Sequence, residues 1–219
     1  MDTSSLAIAC VLKLGRWEIK QHNRASEYGP KHVQWLKRQC DQQAPGIRFV
    51  CLTDAGIIEG VETIPLRYNW PGWWSKMELF DHDLGRVLYM DLDTVVVGSL
   101  NQMLNHPHQF TACRDFGKGR GMNSSIMAWQ GKRPDLFDPF VRDPEYWMAK
   151  CFDSNCWGDQ GFIQKHIDGW EDWQSLFPGA VGSYKLTFKR KRPPKTARVV
   201  CFHGKPKPNQ VSHDWVPKC

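Results

Sequence analysis

The sequence predicts an α/β fold built on a mostly parallel central sheet, followed by a less regular second half. Short apolar segments of strand length alternate with helical segments through the first hundred residues, beginning with Leu6–Leu12. A later apolar strand runs directly into two acidic residues, Asp91 and Asp93. Parallel sheets bind ligands at the carboxyl ends of their strands, so these acids mark a candidate site. With 219 residues, we expect a single domain over 1–219.

Each element of the first half has a local pattern. Pro30 suits the first position of a helix, and Val33, Leu36 and Cys40 follow it at helical spacing. The other elements predicted there are strands at Ile47–Thr53, Glu62–Leu66, Arg86–Leu92 and Thr94–Val97, and a helix at Ser75–Leu84. In the second half we predict strands at Phe110–Arg114, Ser125–Trp129 and Arg198–Phe202, and helices at Pro134–Lys150 and Asp159–Ile167.

Composition is that of a globular protein. Hydrophobic residues make up 41% and charged residues 24% of the sequence, whereas disordered chains are poor in hydrophobic residues. No apolar run approaches the roughly 20 residues of a membrane-spanning helix. No basic segment precedes the first apolar run, so we predict no signal peptide and expect a cytoplasmic location.

Eight cysteines raise the question of disulfides or a metal site. Cys10, Cys51 and Cys201 lie in strand-like apolar runs, where a free cysteine behaves as a small buried hydrophobe. A zinc site formed by Cys151, Cys156 and His166 is the alternative, but the sequence contains no Cys-x-x-Cys pair. We therefore expect reduced, structural thiols.

Asp91 and Asp93 are the strongest single signal. Residues two apart in a strand point to the same face, so the two carboxylates lie side by side where the strand ends. Two carboxylates suit a hard divalent cation that also binds phosphate oxygens.

The same Asp-x-Asp-x-Thr pattern also begins haloacid-dehalogenase phosphatases, in which the first aspartate, here Asp91, is a phosphorylated nucleophile. Two facts count against that alternative. The motif follows a complete strand–helix–strand unit, and no later acidic motif supplies further magnesium ligands.

Six short motifs occur in order along the chain: Tyr28-Gly29-Pro30, Gly72–Phe80, Leu88–Leu100, Asn123–Trp129, Trp157–Gln160 and His203–Pro206. Together they resemble the motifs of family 8 glycosyltransferases, which include glycogenin and lipopolysaccharide galactosyltransferases, and of their small uncharacterised relatives. The resemblance implies a GT-A (Rossmann-like) fold, a nucleotide-diphosphate sugar donor with uridine as the default base, and retention of anomeric configuration. It also implies a nucleotide-binding half over about 1–100 and an acceptor half over about 101–219.

The resemblance assigns roles to individual residues. Asp91 and Asp93 match the metal-binding aspartates, and His203 matches the histidine that completes the metal site. Lys205 matches a lysine near the donor diphosphate, and Lys76 matches a basic residue that faces the donor. The mixed oxygen and imidazole ligands favour manganese, with magnesium as an alternative. From the residues alone, His203 could also be a hydrogen-bonded strand-end histidine, and Lys76 a solvated lysine.

Further polar residues match the donor site. Asn123, Asp159 and Gln160 match residues that hold the sugar hydroxyls, which makes Asp159 and Gln160 the candidate catalytic residues. Asp159 could instead cap the helix that follows it. Family members carry an acid after the first strand, but this chain has none there. Lys13 and Tyr28 are the candidates for contacts with the nucleotide.

The acceptor prediction rests on aromatic and basic residues. Trp73 and Trp74 could stack on a sugar or a base, although large aromatic side chains more often lie in a core. We call Lys189, Arg190, Lys191 and Arg192 the basic loop. Two prolines follow it, and we expect them to keep it extended beside the active site. The predicted acceptor is an anionic polymer, with base-modified DNA as first candidate. A saccharide acceptor, a protein acceptor and a noncatalytic nucleic-acid-binding role are the alternatives.

Overall fold

The computed structural model describes residues 6–19, 22–153 and 155–219, and strands alternate with helices through most of the first half. Its strands are β1 (Leu6–Leu12), β2 (Arg16–Ile19), β3 (His22–Ala25), β4 (Arg48–Thr53), β5 (Glu62–Pro65), β6 (Arg86–Met90), β7 (Thr94–Val96), β8 (Phe110–Arg114), β9 (Met122–Gln130), β10 (Phe152–Asp153), β11 (Cys156–Trp157), β12 (Glu171–Asp172), β13 (Val181–Ser183) and β14 (Val199–Cys201). Its α-helices are α1 (Pro30–Gln43), α2 (Asn101–Asn105), α3 (Pro134–Arg142), α4 (Pro144–Lys150), α5 (Gly158–His166) and α6 (Trp173–Leu176). Two 3₁₀ helices are Gly72–Asp81 and Pro208–Gln210.

Seven strands form the central sheet, in the order β12–β8–β9–β6–β1–β4–β5. Strand β1 lies between β4 and β6 and pairs with both in parallel, and β4 pairs in parallel with β5. Strand β9 runs antiparallel to both β6 and β8. The predicted α/β class with a mostly parallel sheet is therefore confirmed, and the sheet joins strands from both halves of the sequence.

Alternate residues of β1 face two separate cores. Ile8, Cys10 and Leu12 pack into the core shared with α1, whereas Ala7 and Ala9 pack into the core shared with the first 3₁₀ helix, α3 and α5. All five side chains are fully buried. A strand covered by helices on both faces is typical of parallel sheets and explains the uninterrupted apolar run.

The segment predicted as a helix at Ser75–Leu84 is instead a 3₁₀ helix over Gly72–Asp81. Ser75 Oγ donates to Gly72 O at 2.7 Å, three residues back along the chain. Every residue from Trp74 to Phe80 is buried. The segment therefore lacks the polar stripe by which an amphipathic α-helix is recognised in a sequence.

The helix predicted at Pro134–Lys150 is two helices, α3 and α4, which meet at Asp143. Pro144 disfavours helical backbone at the residue before it, and Asp143 has a φ of −153°. The Asp143 side chain accepts a hydrogen bond from the backbone N–H of Tyr146 at 3.0 Å and so caps α4.

A second sheet, in the order β13–β14–β7, ties the last part of the chain to the central strands. Strand β14 pairs antiparallel with β7, with Cys201 opposite Thr94. Just beyond this pairing, the backbone N–H of Phe202 donates to Asp93 O at 2.9 Å. Because Asp93 directly precedes β7, this register brings the residues after β14 next to the two aspartates.

The prediction that all cysteines are reduced is wrong for one pair. Cys151 and Cys156 form a disulfide, with their Cα atoms 4.4 Å apart. The two-stranded hairpin of β10 and β11 brings them together, a pairing that their spacing in the sequence does not reveal. Both thiols are used in this bond, which rules out the zinc alternative with His166. Cys10, Cys51 and Cys201 are free and buried, as predicted.

The other predicted elements are present, the strands Leu6–Leu12 and Phe110–Arg114 with the predicted bounds, and no end is shifted by more than three residues. The sequence pattern does not predict the hairpin of β2 and β3, because its strands, Arg-Trp-Glu-Ile and His-Asn-Arg-Ala, are mostly polar. Within the described ranges no helix has the length and apolar character needed to cross a membrane. Residues 1–5, on which the signal-peptide prediction partly rests, lie outside the described residues.

Candidate active site

A cleft of about 960 Å³ opens at the carboxyl ends of β1 and β6. The start of β9 lies beside it, because β9 runs antiparallel to β6 and the backbone N–H of Asp91 donates to Ser125 O at 2.8 Å. All predicted metal and donor residues line this cleft: Asp91, Asp93 and His203, and Lys13, Tyr28, Lys76, Asn123, Asp159, Gln160 and Lys205. The two halves of the sequence therefore contribute to one site.

Lys76 joins the first aspartate to the candidate catalytic residue Asp159. Its Nζ lies 3.1 Å from Asp91 Oδ1 and 3.0 Å from Asp159 Oδ2. The Tyr89 hydroxyl also donates to Asp91 Oδ1, at 2.5 Å, and the Ser124 hydroxyl donates to Asp159 Oδ2 at 2.6 Å. Burial lowers the pKa of Lys76, but the Asp159 and Asp91 carboxylates outweigh it and raise that pKa above its usual value. Lys76 is a buried, charged lysine and not the solvated alternative.

Asp93 is held by a different pair of groups. Lys207 Nζ lies 2.7 Å from Asp93 Oδ2, and the Tyr28 hydroxyl donates to the same oxygen at 3.3 Å. Burial raises the pKa of the Asp93 carboxyl, whereas Lys207 lowers it. The neighbouring Asp91 carboxylate also raises the Asp93 pKa, and its net shift is upward. Burial also raises the pKa of the Tyr28 hydroxyl, which keeps that group a hydrogen-bond donor.

His203 reaches the cleft through the second sheet, two residues after β14. Its Nε2 lies 2.7 Å from Ser183 Oγ, and its ring stacks on Phe116 with the centroids 5.6 Å apart. A serine hydroxyl accepts up to two hydrogen bonds, so Ser183 can accept from Nε2 in addition to the backbone N–H of Leu186. In that tautomer Nδ1 carries the lone pair that a metal ion requires.

The imidazole of His203 is electrically suited to metal binding. Burial lowers its pKa, Lys185 adds to that effect, and Asp115 opposes it. The net downward shift leaves the ring neutral at pH 7, which is the form that ligates metals.

The donor atoms at this end of the cleft fit a divalent cation by their chemistry. Asp91 uses Oδ1 and Asp93 uses Oδ2 in the contacts above, and no side chain among the described residues donates to their other oxygens. Two carboxylates and a neutral imidazole suit manganese. The three ligands do not converge as they stand. In the described part of the chain, the group whose ligand atoms all lie within 4.8 Å of one another is His106, His108 and Glu171.

The first turn of α5 carries the candidate catalytic residues. The residue that caps α5 is Trp157, without a side-chain hydrogen bond, so the capping role considered for Asp159 is wrong. Asp159 is 5% exposed, and its Oδ2 contacts both Lys76 and Ser124. Gln160 Oε1 accepts from Asn123 Nδ2 at 3.5 Å, and both amides are half-exposed in the cleft.

Two glycines allow α5 to approach its neighbours closely. A Cβ on Gly158, whose φ is +58°, would lie 3.0 Å from Trp73 Nε1. A Cβ on Gly161 would lie 2.8 Å from the backbone carbonyl carbon of Cys156. The disulfide-closed hairpin therefore packs directly against the turn that carries the catalytic candidates.

Lys13 is fixed by an acid from the neighbouring strand. Its Nζ lies 2.5 Å from Asp54 Oδ2 and 2.9 Å from Asn69 Oδ1, and the backbone N–H of Leu14 donates to Asp54 Oδ1 at 2.8 Å. Asp54 directly follows β4. Asp54, which is remote in the sequence, thus holds Lys13 and the backbone that follows β1.

The two tryptophans predicted to contact the acceptor differ in position. Trp73 lines the cleft. Trp74 is fully buried and stacks on Phe140 with the centroids 5.2 Å apart. An acceptor contact is therefore wrong for Trp74, because adjacent helical residues point in different directions and this one faces the core. Trp157, which the sequence analysis did not assign to the acceptor, lines the cleft and is 47% exposed.

The basic loop is not extended, contrary to the prediction. Lys189 and Arg190 have φ values of +50° and +62°, and the backbone N–H of Lys191 donates to Phe188 O at 2.9 Å in a turn. Pro193 restricts the backbone of Arg192, which directly precedes it, but not the backbones of Lys189 and Arg190. All four basic side chains are exposed, and they do not line the cleft. Arg192 lies 2.5 Å from Asp214.

Lys207 is the candidate that the sequence analysis missed. The Lys205 side chain is 70% exposed, and its Nζ lies 3.6 Å from Glu27. The Lys207 side chain is 15% exposed and contacts Asp93. Both lysines line the cleft, and no local pattern in the sequence distinguishes the one that contacts Asp93.

No family model matches this sequence, and no curated protein sequence matches it. Solved structures do match. The glycosyltransferase GlyE of Streptococcus pneumoniae TIGR4 aligns with a TM-score of 0.63 and 14% identity over 94% of this chain and 57% of its own. An active-site mutant of LgtC aligns with a TM-score of 0.63 and 14% identity over 92% of this chain and 89% of its own. The galactosyltransferase LgtC in complex with donor and acceptor sugar analogs aligns with a TM-score of 0.61 and 15% identity over 92% of this chain and 88% of its own.

The chain therefore has the α/β fold of these GT-A glycosyltransferases. It spans little more than half the length of GlyE but most of the length of LgtC.

Proposed function

We propose that this protein is a metal-dependent, retaining glycosyltransferase that moves a sugar from a nucleotide-diphosphate donor, with uridine as the favoured base, to an acceptor hydroxyl. The observation that carries the proposal is that Asp91, Asp93 and His203 line one cleft together with Asp159 and Gln160. The shared fold with LgtC, which has been solved with donor and acceptor sugar analogs, supports it. The same fold disfavours the haloacid-dehalogenase phosphatase.

Asp91, Asp93 and His203 would hold the divalent cation, manganese by preference and magnesium as the alternative. When bound, such a cation acts as a Lewis acid on the diphosphate oxygens of the donor. Lys205 and Lys207 line the same cleft and supply positive charge where the departing diphosphate becomes more negative.

In the transfer, the bond between the sugar C1 and the diphosphate oxygen breaks, and C1 forms a bond to the acceptor oxygen. The acceptor proton passes to the departing diphosphate. The Gln160 and Asn123 amides are suited to holding the sugar hydroxyls. Asp159 is committed to Lys76 and Ser124, so we assign no covalent nucleophile. The acceptor then approaches on the face from which the diphosphate leaves, which retains the configuration.

For the acceptor we propose an anionic polymer, with base-modified nucleic acid first. Within the described residues, Lys189, Arg190 and Lys191 form no ion pair and are exposed. Lys185, earlier in the same segment, adds a positive charge beside the cleft, because its Nζ lies 3.1 Å from the position that a Cβ would take on Gly204. A saccharide or a protein is the alternative. Exposed Trp157 favours the saccharide, since aromatic faces stack on sugar rings.

The test is a screen of nucleotide sugars for hydrolysis without acceptor, in the presence of Mn²⁺ and after chelation. We expect slow, Mn²⁺-dependent hydrolysis of a UDP-sugar, followed by transfer when acceptor classes are supplied with that donor. Asp138→Asn is a matched control, because Asp138 is exposed and lies outside the cleft. Hydrolysis of simple phosphoesters alone would contradict the proposal. Tight nucleic-acid binding without affinity for metal or donor would indicate the noncatalytic alternative.

A further inference from the structure

The two aspartates are neutralised by lysines of very different character. Lys76 lies between two carboxylates on a buried 3₁₀ helix, and its side chain is 5% exposed. Lys207 has a single carboxylate partner, Asp93. It lies after β14 and before the short 3₁₀ helix at Pro208–Gln210, where no strand pairing holds the backbone. Gln210 holds the Lys207 backbone, because its Oε1 accepts from the Lys207 N–H at 2.9 Å and its own N–H donates to the Lys207 carbonyl at 2.9 Å. Lys76 is therefore held by two carboxylates, whereas the Lys207 ammonium has only one carboxylate to leave when it changes partners.

Lys207 contacts Asp93 through a single carboxylate oxygen, Oδ2. This oxygen accepts hydrogen bonds from Lys207 Nζ at 2.7 Å and from the Tyr28 hydroxyl at 3.3 Å. A divalent cation bound to this carboxylate would lie close to the Lys207 ammonium. Like charges at such a separation repel strongly where water is scarce. A divalent cation and Lys207 must therefore compete for Asp93.

We propose that Lys207 is an exchange residue: it holds Asp93 in the free protein and moves to the diphosphate of a nucleotide when a divalent cation takes the carboxylate. This inference rests on the proposed function. The Tyr28 ring, with its centroid 5.4 Å from Lys207 Nζ, keeps the ammonium at the cleft during the exchange through a cation–π contact.

The exchange couples the binding of the cation to that of the nucleotide. The cation deprives Lys207 of its carboxylate, and the diphosphate gives it a new anionic partner. Each ligand therefore strengthens the binding of the other, and the coupling is reciprocal. Removing the ammonium has opposite effects on the two ligands: the cation gains affinity because its competitor is gone, and the nucleotide loses affinity because it lacks a positive partner.

A purely structural ion pair would behave differently. If Lys207 only fastened the segment after β14, its removal would loosen His203 in the same segment. Cation affinity would then be unchanged or weaker, and never stronger. The sign of the change in cation affinity therefore separates the two roles.

The test is calorimetry on the full chain, first with Mn²⁺ alone and then with UDP at saturating Mn²⁺. We expect Lys207→Met to bind Mn²⁺ about tenfold more tightly and UDP about tenfold more weakly than the wild type, within the range typical of coupled sites. Lys207→Gln provides a second neutral variant. Lys118→Met is the matched comparison, because it removes the same charge from an exposed side chain that lines the cleft and does not contact Asp93. Its Mn²⁺ affinity should stay within about twofold of the wild type.

Unchanged or weaker Mn²⁺ binding in both Lys207 variants overturns the exchange, while wild-type binding of Mn²⁺ and UDP still supports the proposed function. Equal tightening in Lys118→Met also overturns it, because the effect would then be one of general charge. If the wild-type protein binds neither Mn²⁺ nor UDP, that result contradicts the proposed function and, with it, the exchange.

Discussion

The backbone N–H of Phe202 donates to the carbonyl oxygen of Asp93, 2.9 Å away. This bond lies where β7 is about to begin and β14 has just ended, so it fixes the distance between the aspartates and His203. Both partners are main-chain groups, and side-chain substitutions leave them in place. The proposed metal ligands can therefore be tested one at a time without dismantling the framework that carries them.

Asp93→Asn is expected to remove Mn²⁺-dependent donor binding while the fold persists, because the asparagine oxygen can still accept from Tyr28. Loss of a charge that acts on the transition state typically costs about 3 kcal/mol, or roughly a hundredfold in rate. Donor hydrolysis measures the rate, and calorimetry measures the binding. Asp138→Asn is the control. Full activity of Asp93→Asn would contradict the assignment of the metal site.

Lys76→Met is expected to destabilise the fold, because it leaves the Asp91 and Asp159 carboxylates facing each other without a cation. Breaking a buried ion pair on one side typically costs about 3–5 kcal/mol. Urea unfolding measures the loss. Lys37→Met is the control, since its pair with Asp41 lies on the surface of α1 and should cost less than about 1 kcal/mol. Equal losses in the two variants would show that Lys76 is not the buried charge that holds this site.

The sequence predicted most of the framework of this site, because strand ends carry short local signals. The end of an apolar strand located Asp91 and Asp93 correctly. The predicted shared strand face is wrong, because β6 ends at Met90 and the two acids lie in the turn before β7, where the Thr94 N–H donates to Asp91 O at 3.1 Å. Asp54 and Lys207 were not found. Their roles depend on partners far along the chain, Lys13 and Asp93, and no local pattern records such a pairing.

The same reason explains the errors. Trp73 and Trp74 are adjacent residues of the same type, so the sequence does not distinguish them. The orientation of the 3₁₀ helix decides which of them faces the cleft and which faces the core. The disulfide depends on a hairpin of two-residue strands that is too short to have a sequence pattern. The turns in the basic loop depend on backbone hydrogen bonds within the loop, and the prolines give no information about them.

His108 is expected to make the fold less stable as the pH falls. Its Nδ1 lies 2.7 Å from Thr111 Oγ1 and its Nε2 2.6 Å from Met103 O, and burial lowers its pKa from 6.5 to about 4. Between these values the unfolded chain binds a proton that the folded chain does not. The free energy of unfolding therefore falls from about pH 6.5 to pH 4 and levels off below that range. Because the ring is partly exposed, we expect its contribution to be about 1–2 kcal/mol.

Unfolding of the wild type and of His108→Gln, followed across this pH range, measures that contribution. The neighbouring charges, in particular His106, Glu171 and Arg86, are common to both proteins and cancel in the difference. A difference that stays constant from pH 7 to pH 4 would contradict the prediction. The engagement of both His108 nitrogens also explains why we assign no metal to the group with His106 and Glu171.

The basic loop is expected to make nucleic-acid binding dependent on salt. Changing Lys189, Arg190, Lys191 and Arg192 to Ala should flatten the log–log salt slope by about 0.7–0.9 for each phosphate contact that is lost. Arg192 should contribute least, because it is paired with Asp214. The control replaces four exposed basic residues elsewhere with Ala, namely Lys31, Arg38, Lys150 and Lys165. Equally weak DNA binding by the wild type and the loop variant at about 0.1 M salt would remove nucleic acid as the acceptor.

The two ends of the segment that carries the basic loop each lie against a glycine. A Cβ on Gly182 would lie 2.6 Å from Phe188 Cζ, and a Cβ on Gly98 would lie 2.8 Å from Ala197 O. Neither glycine can change without moving the segment, whereas the side chains of residues 189–192 face solvent. The stretch from 189 to 196 therefore has the properties of a cassette, whose length and charge can diverge while its anchors stay. On the proposed role of the basic loop in acceptor binding, acceptor preference would evolve independently of the donor site, and transplanting this stretch between proteins of the same fold would change it.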